Sequence, residues 1–325
     1  MHLVLNIVLL LIGFAALIKG ADFFVDGSAA LARTFRVPSV IIGLTIVALG
    51  TSAPELAVST SAALAGANEI ALSNVVGSNL FNLLMVLGVC ALIRPLPIDR
   101  QILRRDYPLS VIVSVALFAA VGVALFTGQA SLSLPMAENV GMVSRPLGVI
   151  LLALFVGYIV WLIISARKSR TEEPDEPPLP LWKSLLLLAV GVACIILGGQ
   201  LVVHNAREIA AVFGMSETLV GLTVVALGTS LPELVTSIVA SRKGENGLAV
   251  GNVVGSNLFN MLFILGVSAT IHPIAVNLAS VLDLGILIVA SVMVFIFGIT
   301  KKISRWEGAV MVLFYAATVT FAVVR

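Results

Sequence analysis

GLTIVALGTSAPELAVSTSAALAGANEIALSNVVGSNLFNLLMVLG, residues 43–88, returns as GLTVVALGTSLPELVTSIVASRKGENGLAVGNVVGSNLFNMLFILG at residues 221–266. The offset is 178 residues throughout, without a gap, and 29 of the 46 positions are identical. Apolar composition alone produces scattered matches, but it does not return the same polar residues in register. Self-similarity of this kind marks a duplicated structural unit, and the fold is read outward from it.

Of the 325 residues, 59% are hydrophobic and 11% charged, with a mean hydropathy of +1.13. A soluble domain carries roughly a quarter charged residues, so this composition excludes a soluble enzyme, a nucleic-acid binder and a disulfide-rich secreted scaffold. Polar punctuation divides the chain into ten apolar spans near 3–20, 38–64, 70–93, 108–127, 146–166, 182–204, 216–241, 247–271, 279–299 and 305–324. The expected fold is an all-α polytopic membrane protein with ten transmembrane helices. The N-terminus lacks a basic leader and a small-residue cleavage site, so Leu3 to about Ile18 reads as a retained span. Cys90 and Cys194 lie inside apolar runs and read as small buried hydrophobes.

Sixteen of the 19 basic residues fall in the odd-numbered connections, leaving only Arg145, Arg207 and Arg325 on the other side. By the positive-inside rule both termini face outward and the central loop is cytoplasmic. That loop, 167–181, begins RKSRTEEPDEPPLP and reads as a solvated linker between halves 1–166 and 182–325. Its Glu172, Glu173, Asp175 and Glu176 lack the glycine-turned spacing of a calcium loop. Five spans per half is an odd number, so the second half enters the bilayer upside down. Two inverted five-helix repeats, with a site near the midplane where they meet, is the plan of secondary transporters.

Glu55 and Glu233 occupy equivalent places in otherwise apolar spans. A charged side chain at the centre of a membrane helix costs about 2.5–3.5 kcal/mol on insertion scales. No Lys, Arg or His stands near them in either repeat's motif, and a bound cation is the simplest compensation. Pro54 and Pro232 lack an amide proton, which withdraws helical partners from the carbonyls of Gly50 and Gly228 and, with Gly-Thr-Ser just before, predicts a kinked or unwound helix there. Carbonyls of Ala48, Thr51, Ala226 and Thr229 can then point at an ion, and the hydroxyls of Ser52 and Ser230 add further oxygens. In the next span Asn74, Ser78 and Asn82 recur at intervals of four on one face, as do Asn252, Ser256 and Asn260. Asn79 and Asn257 point away and read as structural, and Gly77, Gly88, Gly255 and Gly266 read as packing positions. Carboxylate, carbonyl, hydroxyl and amide oxygens suit calcium or sodium and disfavour zinc or copper.

GTSAPE (50–55) with GSNLFN (77–82), and GTSLPE (228–233) with GSNLFN (255–260), resemble the two alpha repeats of the sodium/calcium exchanger family. This family belongs to the calcium/cation antiporter superfamily, and the likeness is to its short bacterial calcium/sodium antiporter-like members. The resemblance implies a secondary active antiporter of the bacterial inner membrane, exchanging calcium for sodium by alternating access, without cofactor or obligate protein partner. It implies that Glu55 and Glu233 are central ligands of both ions. Thr51, Ser52 and Ala48 would line a sodium site in the first half, and Thr229, Ser230 and Ala226 one in the second. Ser78 and Ser256 would add hydroxyls, with Asn82 and Asn260 flanking the centre. Some members carry an aspartate at one of the positions matched by Asn82 and Asn260; with asparagine at both, the site holds two formal negative charges and argues against potassium coupling. It also implies that the first and sixth spans slide across the other eight. A proton-coupled divalent-cation antiporter using the same glutamates is the alternative, and a cation channel a third reading. A membrane hydrolase is disfavoured because His2, His204 and His272 lie outside the repeat motifs.

Overall fold

The computed structural model describes residues 2–66, 68–123, 127, 131, 134–168, 179–213 and 226–324. These are mostly helical. In chain order they form α1 (His2–Phe35), α2 (Ser39–Thr51), α3 (Ala53–Leu64), α4 (Ile70–Ile93), α5 (Tyr107–Val121), α6 (Arg145–Lys168) and α7 (Leu181–Val212). After these come α8 (Ala226–Thr229), α9 (Leu231–Arg242), α10 (Asn246–Ile271), α11 (Leu278–Gly298) and α12 (Arg305–Val324). Among the described residues, seven helices are long and apolar enough to cross a membrane, or eight if the bent pair α2–α3 counts as one span. The central linker and the start of the seventh expected span, 216–225, lie outside the described residues.

Two expected boundaries are corrected. The first span does not stop at residue 20: α1 runs on to Phe35, carrying Lys19 and Arg33 on the helix itself. The sixth does not stop at 204 but reaches Val212. Both extensions keep an apolar buried stripe (Ala21, Phe24, Val25 and Ala29 in α1) while their charges sit on the opposite face. Hydropathy averaged over a window misses such a helix once charges enter it, although one face remains continuous. α1 ends where Arg36 takes a left-handed backbone (φ 53°), followed by Pro38.

Contacts gather the chain into two compact units, each drawing on both halves of the sequence. The first comprises Met1–Pro54 and Ile163–Gly255. Here α1 and α7 lie antiparallel and close. A Cβ placed on Gly13 would fall 3.0 Å from the Gly198 carbonyl, on Gly20 2.9 Å from that of Gly191, and on Gly27 2.9 Å from that of Ser184. Small residues every seven positions let the two backbones touch, the way helices associate where lipid supplies no hydrophobic drive. Lys243, at the end of α9, reaches Asp26 at 2.8 Å and Asp22 at 3.4 Å on α1. Gly255 plays its expected packing part, with a Cβ there 2.7 Å from the Leu44 backbone.

The second unit comprises Glu55–Leu162 and Ser256–Arg325. Gly88 abuts Gly308, and Gly266 abuts Gly148, again with carbonyls about where a Cβ would be (3.0 and 3.1 Å). Gly77 meets nothing among the described residues. Two short antiparallel ladders join connections the sequence had left as loops: β1 (Leu96–Pro97) with β4 (Lys302–Ile303), and β2 (Asn139–Val143) with β3 (Ile274–Asn277). Burial separates the helices by role. In the apolar windows of α10 and α4, 94% and 72% of residues are buried, against 17–39% for the other five long helices, whose apolar exposed faces suit lipid.

Gly191→Val is expected to destabilise the protein by about 1–3 kcal/mol through overpacking, since its Cβ would lie 2.6 Å from the Phe24 amide nitrogen. Gly157→Ala meets open space among the described residues and should leave the melting temperature of the detergent-solubilised protein unchanged.

Candidate functional site

The site grows from two helix breaks at equivalent positions. α2 and α3 are bent by 50° with Ser52 between them (φ −84°, ψ 10°), and Ser230 separates α8 from α9 with nearly the same backbone (φ −93°, ψ 5°). The kink or unwinding expected there is therefore a full interruption. Each new helix restarts immediately before its proline, so Glu55 and Glu233 fall in the first turns of twelve-residue helices. Unpaired amides there carry partial positive charge and favour a carboxylate. That is a source of compensation the residue types alone did not reveal. Both glutamates are wholly buried.

In the first unit, Ser52 Oγ donates to Glu233 Oε1 at 2.8 Å. Asn252 Nδ2 donates to Ser237 Oγ (3.0 Å) and lies 3.5 Å from the Glu233 carbonyl, bracing the turn that carries the carboxylate. Its Oδ1 stands 3.0 Å from Thr51 Oγ1, which also lies 3.1 Å from the Val47 carbonyl. The carbonyl of Ala48 differs from expectation: it accepts the amide of Ser52 at 3.0 Å and also lies 3.4 Å from Thr51 Oγ1.

The second unit repeats this geometry around Glu55. Asn74 Nδ2 donates to Ser59 Oγ (2.9 Å) and lies 3.4 Å from the Glu55 carbonyl; Ser78 Oγ is 3.4 Å from Glu55 Oε1. Ser59 and Ser237 are equivalent in the repeat, and their bracing role was not anticipated. Asn82 and Asn260 sit in π-helical turns, Phe81–Val86 and Phe259–Ile264, again at equivalent positions. Single π turns inside α-helices often mark functional sites because they rotate side chains off the regular face.

Asn79 and Asn257 form a reciprocal hub. Each donates Nδ2 to the other's backbone carbonyl (3.3 and 3.5 Å). Asn257 Oδ1 accepts from Asn82 Nδ2 at 3.2 Å, and Asn79 Oδ1 accepts from Asn260 Nδ2 at 3.0 Å. Asn260 Nδ2 also reaches Ser78 Oγ at 3.1 Å. With both amide nitrogens engaged, the Oδ1 atoms of Asn82 and Asn260 are buried and accept no hydrogen bond among the described residues; Thr229 Oγ1 and Ser256 Oγ are likewise unpartnered. Buried oxygens left open in this way call for another partner. Ala226 opens α8, and its side chain is not among those described. No group of three or more His, Cys, Asp or Glu gathers among the described residues; the donors available are hydroxyl, amide, carbonyl and single carboxylate oxygens. Cys90 and Cys194 are free thiols.

Comparison with known proteins agrees. The profile of the family described as sodium/calcium exchanger protein matches residues 5–164 and 183–324. The sodium/calcium exchanger MaX1 of Methanosarcina acetivorans is 32% identical, over 96% of this chain and 97% of its own. The inner membrane protein YrbG of Escherichia coli is 38% identical, over 82% of this chain and 79% of its own. Among solved structures, the sodium-calcium exchanger NCX_Mj soaked with sodium and strontium superposes with a TM-score of 0.82 at 29% identity, covering 98% of both chains. The chain belongs to the sodium/calcium exchanger family and is an integral membrane cation antiporter, not an enzyme.

Proposed function

We propose that this antiporter exchanges calcium for sodium at one midplane site whose central ligands are Glu55 and Glu233, contributed by two inverted five-helix repeats, 1–166 and 182–325. The reading rests above all on Ser52: its hydroxyl donates to Glu233 at 2.8 Å, and it stands three residues before Glu55 in the chain. Ser52, Thr51 and the Ala48 carbonyl serve one sodium position, and Ser230, Thr229 and the Ala226 carbonyl the other. Ser78, Ser256, Asn82 and Asn260 complete an all-oxygen shell. The orientation proposed has both termini outside and the linker 167–181 in the cytoplasm of a bacterial inner membrane, as the placement of basic residues supports.

Charge explains why the two cargoes alternate. One calcium neutralises two carboxylates, whereas three sodium ions leave a surplus of one positive charge. Both cargoes need the same glutamates, so they cross in turn, each in a state facing one side. A surplus charge feels the membrane potential by about 2.3 kcal/mol per 100 mV. The resemblance to the family supports a sliding of the first and sixth spans as the step that changes access.

In this arrangement Asn79 and Asn257 orient the ligand oxygens without touching an ion. Their Oδ1 atoms hold the amide nitrogens of Asn260 and Asn82, which turns the other end of each side chain to the cation.

Glu55→Gln and Glu233→Gln should each weaken calcium transport in proteoliposomes by about 100-fold or more, as for losing one charge of a buried pair. Wild-type transport in either variant refutes the site. Sodium-driven calcium uptake should carry current; electroneutral flux overturns the three-for-one count, and flux driven by a pH gradient without sodium assigns proton coupling instead. Asn79→Asp places a second acceptor against the backbone carbonyl of Asn257 and should raise the KM for calcium and lower the melting temperature, since it buries an unpaired charge. An unchanged KM removes the orienting role.

A further inference from the structure

The second unit also carries a groove of about 600 Å³ between α5 and α6, with Leu262 of α10 in its lining. Its walls are Leu109, Ile112 and Val113 on one side and Ala153, Leu154 and Gly157 on the other. Arg104, Arg105, Tyr158 and Trp161 stand together at one end. From Arg104 to Val113 the groove extends about 13 Å at 1.5 Å per residue, a length that fits part of an acyl chain. A Cβ at Gly157 would meet open space among the described residues, so at this point the groove wall is backbone.

The polar end is built rather than incidental. Arg105 Nε lies 3.2 Å from both oxygens of Asp106, and its guanidinium stacks over the Trp161 ring at 4.3 Å. Asp106 is wholly buried and also accepts from the Tyr158 hydroxyl at 3.3 Å. Arg105 is thereby fixed in place, and its Nη2, buried, has no hydrogen-bond partner among the described residues. Arg104 beside it is exposed and makes no ion pair among them. Two guanidinium groups against one carboxylate leave a net charge of +1.

We infer that this groove binds a singly anionic phospholipid, with its phosphodiester at Arg104 and Arg105 and one acyl chain along α5 and α6. Three observations agree on that occupant. The slot is apolar over its length, as an acyl chain requires. The surplus of one positive charge matches one phosphodiester. Trp161 and Tyr158 stand at the same level as the arginines, the placement that amphipathic aromatics take at a bilayer's polar boundary. Basic pockets between membrane helices are an established way of holding acidic head groups. A zwitterionic lipid would fill the slot but gain nothing from the charge.

The test is native mass spectrometry of the full-length protein in detergent, supplied with phosphatidylglycerol, phosphatidylcholine or oleate. Wild type should retain phosphatidylglycerol about fivefold over phosphatidylcholine, the discrimination one surface arginine supplies. Arg104→Gln should remove the preference while keeping retention of phosphatidylcholine. Gly157→Phe should fill the slot and reduce retention of both lipids, with Gly157→Leu as a smaller plug if the phenylalanine variant fails to fold. Arg105 is left alone because its loss would strand the buried Asp106 carboxylate. Equal retention of the two phospholipids by wild type, preference for oleate over phosphatidylglycerol, a dimer closing the groove, or lipid binding unaltered by the plug each overturns the proposal.

Discussion

A carboxylate in the membrane interior must be met by something, and the arrangement of this protein follows from how that requirement is satisfied. Glu55 and Glu233 are wholly buried, and each is supported in two ways within its own unit. The helix restarts just before it, so it stands in the first turn beside unpaired amides, and the hydroxyl of Ser52 (for Glu233) or Ser78 (for Glu55) approaches one of its oxygens. Neither provision neutralises a full charge. Amide dipoles and hydroxyls stabilise a carboxylate by about 1–3 kcal/mol apiece, enough to fold around it and still leave it attractive to a cation. A lysine or arginine in the same place would have satisfied the glutamate permanently and closed the site to exchange.

The rest of the polar network serves these two side chains. Asn74 and Asn252 brace the turns that carry them through Ser59 and Ser237. Within each unit the backbones are drawn together by glycine, at Gly13, Gly20 and Gly27 of α1 against α7 in the first and at Gly88 and Gly266 in the second. In lipid, a helix gains little by hiding apolar surface from neighbours that are equally apolar. Close backbone contact, as between α1 and α7, and buried hydrogen bonds, as on the helices of the repeat, must supply the cohesion.

How much of this was legible in the sequence depended on whether the signal was local. The repeat, the acidic residues within apolar spans and the proline after Gly-Thr-Ser are all printed in adjacent letters, and they located the breaks at Ser52 and Ser230; Ser59 and Ser237, which brace the two turns, were not among the residues they marked. The full lengths of α1 and α7 were hidden because Asp22, Asp26, Arg207 and Glu208 lower the hydropathy average without interrupting the buried stripe. The π turns at Phe81–Val86 and Phe259–Ile264 have no sequence signature, and regular four-residue spacing put Asn74, Ser78 and Asn82 on one face that the turns in fact rotate. Asn79 and Asn257 read as structural, which they are, but the partner each one holds was not legible. A residue pointing away from a presumed face gives no sign that its opposite number, 178 positions on, is waiting for it.

That pairing has an implication for history. Every bond in it runs from a residue of one half to a residue of the other, and each has its mirror with the roles exchanged. An interface of this self-complementary type is what two identical subunits make when they dimerise. Nothing in it requires the peptide linkage between the halves. A gene encoding a single half could have assembled the same contact from two separate polypeptides, and fusion would then have needed only to preserve asparagines already in use.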